Sequence, residues 1–301
     1  MPVPTPDKLR ECLLDLKNPI AQRTHAAFIL RTKGDDESVQ ILAEALKNRQ
    51  DSELMRHELA YILGQIGNPI VCPLLESILI DEDDDILVRH ESAEALGAIG
   101  APQSISILEK YSTHSAPEIS ETCQIAIDLI QWRQSGESVG KSHYLSVDPA
   151  PALSTTAPNT SKNGVEIEEE IEKLKNTLMD TSLSLFHRYR AMFSLRNIDN
   201  DASALALLHG FDDSSALFRH EVAYVLGQMQ KPATIEGLAK VLRKSDEHRM
   251  VRHEAAEALG AIGGEEVEKV LNEYIDDEQI VVKESCHVAL DTIEYWSAAE
   301  F

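Results

Sequence analysis

The tripeptide Arg-His-Glu is written four times in this chain, as Arg56-His57-Glu58, Arg89-His90-Glu91, Arg219-His220-Glu221 and Arg252-His253-Glu254. Within each half the two copies lie 33 residues apart (90 − 57 and 253 − 220), and the halves are offset by 163 (220 − 57 and 253 − 90). A fixed period of this length is the mark of stacked helical hairpins, because each hairpin can bury its apolar face only against its neighbours. Packing alone requires apolar residues at the repeated positions. Here a metal ligand beside a carboxylate is repeated as well, and a helical core needs neither.

The residues around the tripeptide support the helical reading. HELAYILGQIG from His57 and HESAEALGAIG from His90 place apolar residues at i, i+3, i+4 and i+7, the pattern of an amphipathic helix. Gly67-Asn68-Pro69 and Gly100-Ala101-Pro102 supply helix stops, and Ser52 and Asp85 are suited to cap the starts. The second half repeats the plan with HEVAYVLGQMQ and HEAAEALGAIG, with Gln230 standing where the related repeat has Gly67. Further repeats without the tripeptide run over residues 23–31, 119–130 and 188–196 and through Lys283-Glu284-Ser285; His25, or Glu121 and Thr122, fall at the motif positions. The expected fold is all-α, a solenoid of eight hairpins in two pseudo-symmetric halves of four repeats, 1–133 and 166–301. A linker rich in Gly, Ser, Pro and Thr spans 134–165. The pattern V-R-x-x-A-A-x-A-L-G-x-I-G resembles the short HEAT-like repeat.

Charge narrows the partners. With 28 basic and 51 acidic residues the net charge is −23, which repels a phosphate backbone, so nucleic acid is excluded and a basic protein or cationic substrate is favoured. The first residues, Met1-Pro2-Val3-Pro4, lack a basic stretch followed by an apolar one, and no apolar run reaches the ~18 residues of a membrane span. A cytoplasmic monomer is the expectation. Cys12, Cys72, Cys123 and Cys286 show no CxxC spacing, and the last two are again 163 apart, which reads as repeated helix-core positions.

In a stacked solenoid equivalent helices lie ~8–10 Å apart, so imidazoles on neighbouring helices can reach a shared ion. His57 and His90 can meet in one half, and His220 and His253 in the other. One glutamate added to each pair gives two histidines and a carboxylate, the set that leaves open positions on non-haem iron; two such sets facing each other would make a dinuclear site. The symmetry of the sequence leaves open which glutamate of each half ligates. The blander reading, a solvated polar turn inherited by duplication, predicts the tripeptide in all eight repeats, whereas it occupies only the central two of each half. A single catalytic zinc needs only three protein ligands; eight candidate ligands point to two ions. Glu94 and Glu257, which recur three residues after Glu91 and Glu254, are placed to support the ligands or to pair with an arginine, while His114, His143, His209, His248 and His287 do not recur with partners.

Taken with the linker segment Tyr144-Leu145-Ser146-Val147-Asp148-Pro149-Ala150-Pro151, the four His-Glu pairs resemble the deoxyhypusine hydroxylase family of HEAT-repeat di-iron monooxygenases over essentially the whole chain. The resemblance implies two Fe ions, O2 as co-substrate, and hydroxylation of the deoxyhypusine side chain on the translation factor that carries hypusine. Carried over by position, His57, His90 and Glu91 hold one iron and His220, His253 and Glu254 the other, leaving Glu58 and Glu221 to orient the substrate's cationic amines. The competing class is a non-enzymatic acidic HEAT-repeat scaffold with a structural metal clamp.

Overall fold

The computed structural model of the protein describes residues 4–137, 142–153 and 164–299. Two compact units divide between Arg133 and Gln134. The first contains α1 (Pro6–Leu14), α2 (Ile20–Lys33), α3 (Asp36–Leu46), α4 (Glu53–Ile66), α5 (Cys72–Ile80), α6 (Ile86–Ile99), α7 (Ile105–Tyr111) and α8 (Pro117–Gln134), the last reaching one residue past the division. The second contains α9 (Gly164–Met179), α10 (Leu185–Ile198), α11 (Asp201–Leu207), α12 (Ala216–Met229), α13 (Ile235–Arg243), α14 (Arg249–Ile262), α15 (Glu265–Asn272) and α16 (Ile280–Ala299). Among the described residues there is no strand, and the all-α solenoid of hairpins read from the period is the fold. No described helix is long and apolar enough to cross a membrane.

The helix ends follow local chemistry. The Ser52 hydroxyl accepts from the Met55 N–H and the Asp85 carboxylate from the Leu87 N–H, each satisfying a donor that the first turn leaves without an intrahelical partner. Gly67 and Gly100 close α4 and α6 in the left-handed region, at φ 75° and 74°. Gln230 takes the same backbone state at φ 50° and ends α12 in the corresponding place, its side-chain amide donating to the Ala261 carbonyl at 2.8 Å. The helix end therefore survives the loss of glycine. Cys72, Cys123 and Cys286 are buried, all four cysteines are free thiols, and burial pushes the Cys123 and Cys286 thiols up to about 12.

The second helices of neighbouring hairpins touch backbone to backbone. A Cβ added to Gly64 would lie 2.8 Å from the Ala95 Cα, and one on Gly260 would lie 2.7 Å from the Ala289 Cα. Such contacts set the spacing of the helices that carry the tripeptide. Gly260→Ala is expected to lower stability by about 1–3 kcal/mol, the usual cost of overpacking, because the obstruction is backbone and cannot swing aside. Urea unfolding checks this; an unchanged midpoint would mean that α14 and α16 can move apart at no cost.

The arginine of the tripeptide has a structural task. Arg56 donates Nε–H to the Leu46 carbonyl at 3.1 Å and Nη2–H to the Asp84 carboxylate at 2.7 Å, tying its own hairpin to the turn of the next. Arg23 does the same with Leu13 and Asp51, Arg188 with Leu178 and Asp213, and Arg252 with Leu242 and Asp277. Arg219 keeps the theme with the Asp213 carbonyl and the Glu247 carboxylate. Arg89 departs from it: Nε donates to the Leu79 carbonyl at 3.1 Å, but Nη2 is buried with no hydrogen-bond partner among the described residues. At the position matching Asp277 across the 163-residue offset stands His114. Its Nδ1 accepts from the Ala116 N–H, as Asp277 accepts from the Gln279 N–H, so the turn is preserved while the carboxylate is lost.

Part of the segment expected as a linker is built into the second unit. Residues 142–153 lie along α10, where Leu153 N–H donates to the Ser194 hydroxyl at 2.9 Å and Arg190 Nε–H donates to the Pro151 carbonyl at 3.1 Å. Their anchor is Arg196, 0% exposed, which donates to both Asp148 oxygens at 2.7 and 2.6 Å and to the Gln228 side-chain oxygen at 2.7 Å. The guanidinium also stacks on the Tyr144 ring, 4.4 Å from its centroid. The Ser-, Thr- and Asn-rich stretch 154–163 lies outside the described residues.

Candidate metal centre

Helices α4 and α6 lie side by side in the first unit, and the tripeptides one turn inside their capped starts bring His57, His90 and Glu91 together. All three are buried, and one ligand atom from each lies within 4.8 Å of the others. The two imidazole rings have centroids 5.4 Å apart, and the Glu91 carboxylate stands 3.3 Å from the His57 Nε2. On its other side His57 presents Nδ1 to the Glu58 carboxylate at 3.2 Å. A carboxylate on the far nitrogen fixes the ring's tautomer and direction and raises its basicity as a ligand.

The second unit builds the same figure from α12 and α14. His220 and His253 have ring centroids 5.4 Å apart, and the Glu254 carboxylate stands 3.4 Å from the His220 Nε2. Glu221 is buried on α12 beside His220, only 2% exposed. Glu257, one turn after His253, lies 3.6 Å from that residue's Nδ1 and accepts from the Ser285 hydroxyl at 2.9 Å. It thus backs a candidate ligand.

Electrostatics in the first unit suit a cation. Burial works against a charged His57, yet the Glu58 and Glu91 carboxylates outweigh it and hold the ring's pKa well above the usual imidazole range. The Glu58 and Glu91 carboxylates thus place negative charge on both nitrogens of His57. Two nitrogen donors and one oxygen donor in a buried pocket fit a transition-metal ion with positions left open.

The site residues named from sequence therefore fall into two sets, one per unit, with Glu58 and Glu221 beside the first histidine of each. His25 lies in a repeat without the tripeptide and is not in either set. Tyr61 and Tyr224 are not among the residues the motif singles out, although their 163-residue separation marks them in HELAY and HEVAY. Both are half-buried on the helices that carry Glu58 and Glu221.

Comparison with known proteins places this geometry. The sequence matches the HEAT repeats family over residues 6–87 and 204–291, and the PBS lyase HEAT-like repeat over 88–114. Deoxyhypusine hydroxylase of Schizosaccharomyces pombe is 46% identical over 301 residues, covering 96% of this chain and 92% of its own. That of Drosophila melanogaster is 44% identical over 286 residues, covering 95% and 90%. The solved structure of human deoxyhypusine hydroxylase in complex with glycerol superposes with a TM-score of 0.88 at 43% identity, covering 96% of each chain. Identity of this extent over nearly the full length, on the same helical repeats, shows that the chain belongs to the deoxyhypusine hydroxylase family of monooxygenases.

Proposed function

We propose that His57, His90 and Glu91 hold one iron ion, that His220, His253 and Glu254 hold a second, and that the protein uses molecular oxygen to hydroxylate the deoxyhypusine side chain of the hypusine-carrying translation factor. The observation that carries this reading is the construction, twice over, of the same buried donor set, with His–Glu separations of 3.3 and 3.4 Å and ring separations of 5.4 Å in both units. When bound, the irons supply the activation of oxygen needed to attack a C–H bond.

The chain's own residues supply binding and order. Glu58 aims His57 through Nδ1, so that Nε2 faces the Glu91 carboxylate. A carboxylate has two oxygens and about four acceptor sites, so this contact leaves Glu58 capacity for an ammonium group. Glu221 takes the corresponding role on α12. Holding a cationic amine against a buried carboxylate favours charge pairing, since each charge would be costly to bury alone. The partner is a basic protein surface, steered by the net charge of −23, and neither nucleic acid nor membrane is involved. The protein acts in the cytoplasm as a monomer.

The test incubates the reduced, iron-loaded chain with oxygen and the deoxyhypusine-bearing factor, then looks by mass spectrometry for one added oxygen atom on the modified lysine. Glu58→Ala and Glu221→Ala are expected to lose turnover while retaining most iron, and Glu91→Ala to lose iron. Iron loss from Glu58→Ala equal to that from Glu91→Ala would reverse the division of roles. No added mass with two irons bound would overturn the reading in favour of a scaffold.

A further inference from the structure

The four helices that carry the tripeptide are not alike beyond it. On α4 and α12 the glutamate opens the series Glu58-x-x-Tyr61-x-x-x-Gln65 and Glu221-x-x-Tyr224-x-x-x-Gln228. On α6 and α14 the same positions read Glu91-x-x-Glu94-x-x-x-Ala98 and Glu254-x-x-Glu257-x-x-x-Ala261. Positions i, i+3 and i+7 of a helix share one face. The Tyr/Gln pair thus accompanies the glutamate assigned to substrate, and the Glu/Ala pair accompanies the glutamate assigned to metal.

Along α12 the stripe runs outward from the buried Glu221 to the half-buried Tyr224 and Gln228. The Tyr224 phenol is fixed in place: its oxygen accepts from the Gln228 amide at 3.0 Å. Gln228 also donates to the Ser146 hydroxyl at 2.9 Å and accepts from Arg196 at 2.7 Å, and Arg196 is clamped by Asp148. An aromatic ring is therefore immobilised one helical turn from the buried carboxylate, on the side toward the surface. Tyr61 differs, because the Arg31 guanidinium lies 5.6 Å from its ring centroid and donates to Gln65 at 3.5 Å. A cation already sits against that ring.

We propose that Tyr224 is a substrate-binding residue whose ring packs along the aliphatic chain of a cationic alkylamine while Glu221 takes its ammonium group. The apolar ring face covers methylenes, and its quadrupole attracts the positive charge at the chain's end. Gln228 and the segment 142–153 act as positioning residues through the phenol. The inference rests on the reading of Glu221 as the amine's partner and names a second contact for the same substrate.

The test measures steady-state kinetics of the full, iron-loaded chain on the intact deoxyhypusine-bearing factor. Loss of the ring in Tyr224→Leu is expected to raise KM about five- to thirty-fold, with kcat within about two-fold of the parent and iron retained. Tyr224→Phe keeps the ring and stays within about three-fold of the parent KM, and Tyr61→Leu, whose ring faces Arg31, does likewise. Gln228→Leu, which frees the phenol without removing it, gives a smaller rise in KM than Tyr224→Leu. An unchanged KM in Tyr224→Leu, an equal rise in Tyr61→Leu, or iron loss paralleling the rise would overturn the inference. Failure of the unaltered chain to hydroxylate would instead sink the functional reading, and this inference with it.

Discussion

His57→Ala and His253→Ala are each expected to remove much of the bound iron and to lower hydroxylation by more than about 100-fold. Groups that merely support a metal ligand cost ~10–100-fold in affinity or activity when removed, and each of these substitutions deletes one of the three protein ligands proposed for an ion. Burial sharpens the effect, because the Glu91 or Glu254 carboxylate left behind is itself buried. His25→Ala, in a repeat without the tripeptide, serves as the control and keeps both iron and turnover. Metal analysis beside the oxygen-addition assay decides the matter: iron content unchanged in His57→Ala would mean that the first donor set does not hold the ion.

The second large effect belongs to the arginine of the same tripeptide and concerns stability. Arg56→Ala strands the Asp84 carboxylate, whose side chain is only 5% exposed, and breaking a buried pair in this way costs about 3–5 kcal/mol. The loss should depend on pH. Burial alone would raise the Asp84 pKa, but Arg56 and the Asp85 N–H hold it below the ordinary 3.8. Because the folded value is the lower one, the pair's contribution is fully present above the unfolded pKa and fades as pH falls through the folded one. Urea unfolding at pH 7 and again near pH 3 should therefore show a gap between parent and variant that narrows in acid. A gap of constant size would place the cost elsewhere than in the ion pair. The opposite change is available at Arg89, where His114→Asp restores the missing carboxylate and is expected to add about 1–3 kcal/mol.

Much of this was legible because the period and the chemistry are written in separate letters. The 33-residue spacing and the glycine stops located the helices, and the restriction of His-Glu to the central repeats of each half singled out the histidines that the structure pairs on α4 and α6 and on α12 and α14. The sequence could not rank Glu58 against Glu91, since the two are symmetric in pattern. The structure separates their contacts, with Glu91 on the His57 Nε2 and Glu58 on the Nδ1. The arginine's task was hidden for a different reason: its partners, such as Asp84, lie 28 residues away in the next hairpin's turn, and no local rule pairs them. Composition described residues 142–153 as a spacer, because a segment without periodicity carries no sign of what it will lie against. Their hold on α10 and α12 comes from single polar contacts at Asp148, Ser146 and Tyr144, which look ordinary in a Ser- and Pro-rich stretch.

The clamp on Arg196 also decides where the gene can be cut into two separately produced fragments. A second fragment begun at residue 166, where the helical repeats resume, would omit Asp148 and the Tyr144 ring and strip the Arg196 guanidinium of its counter-ion and its cover. Begun before Ser142, the same fragment carries its counter-ion with it. The seam of the duplication as written in the repeats is thus not the seam of the folded second unit, and the intervening stretch belongs to the piece that follows it.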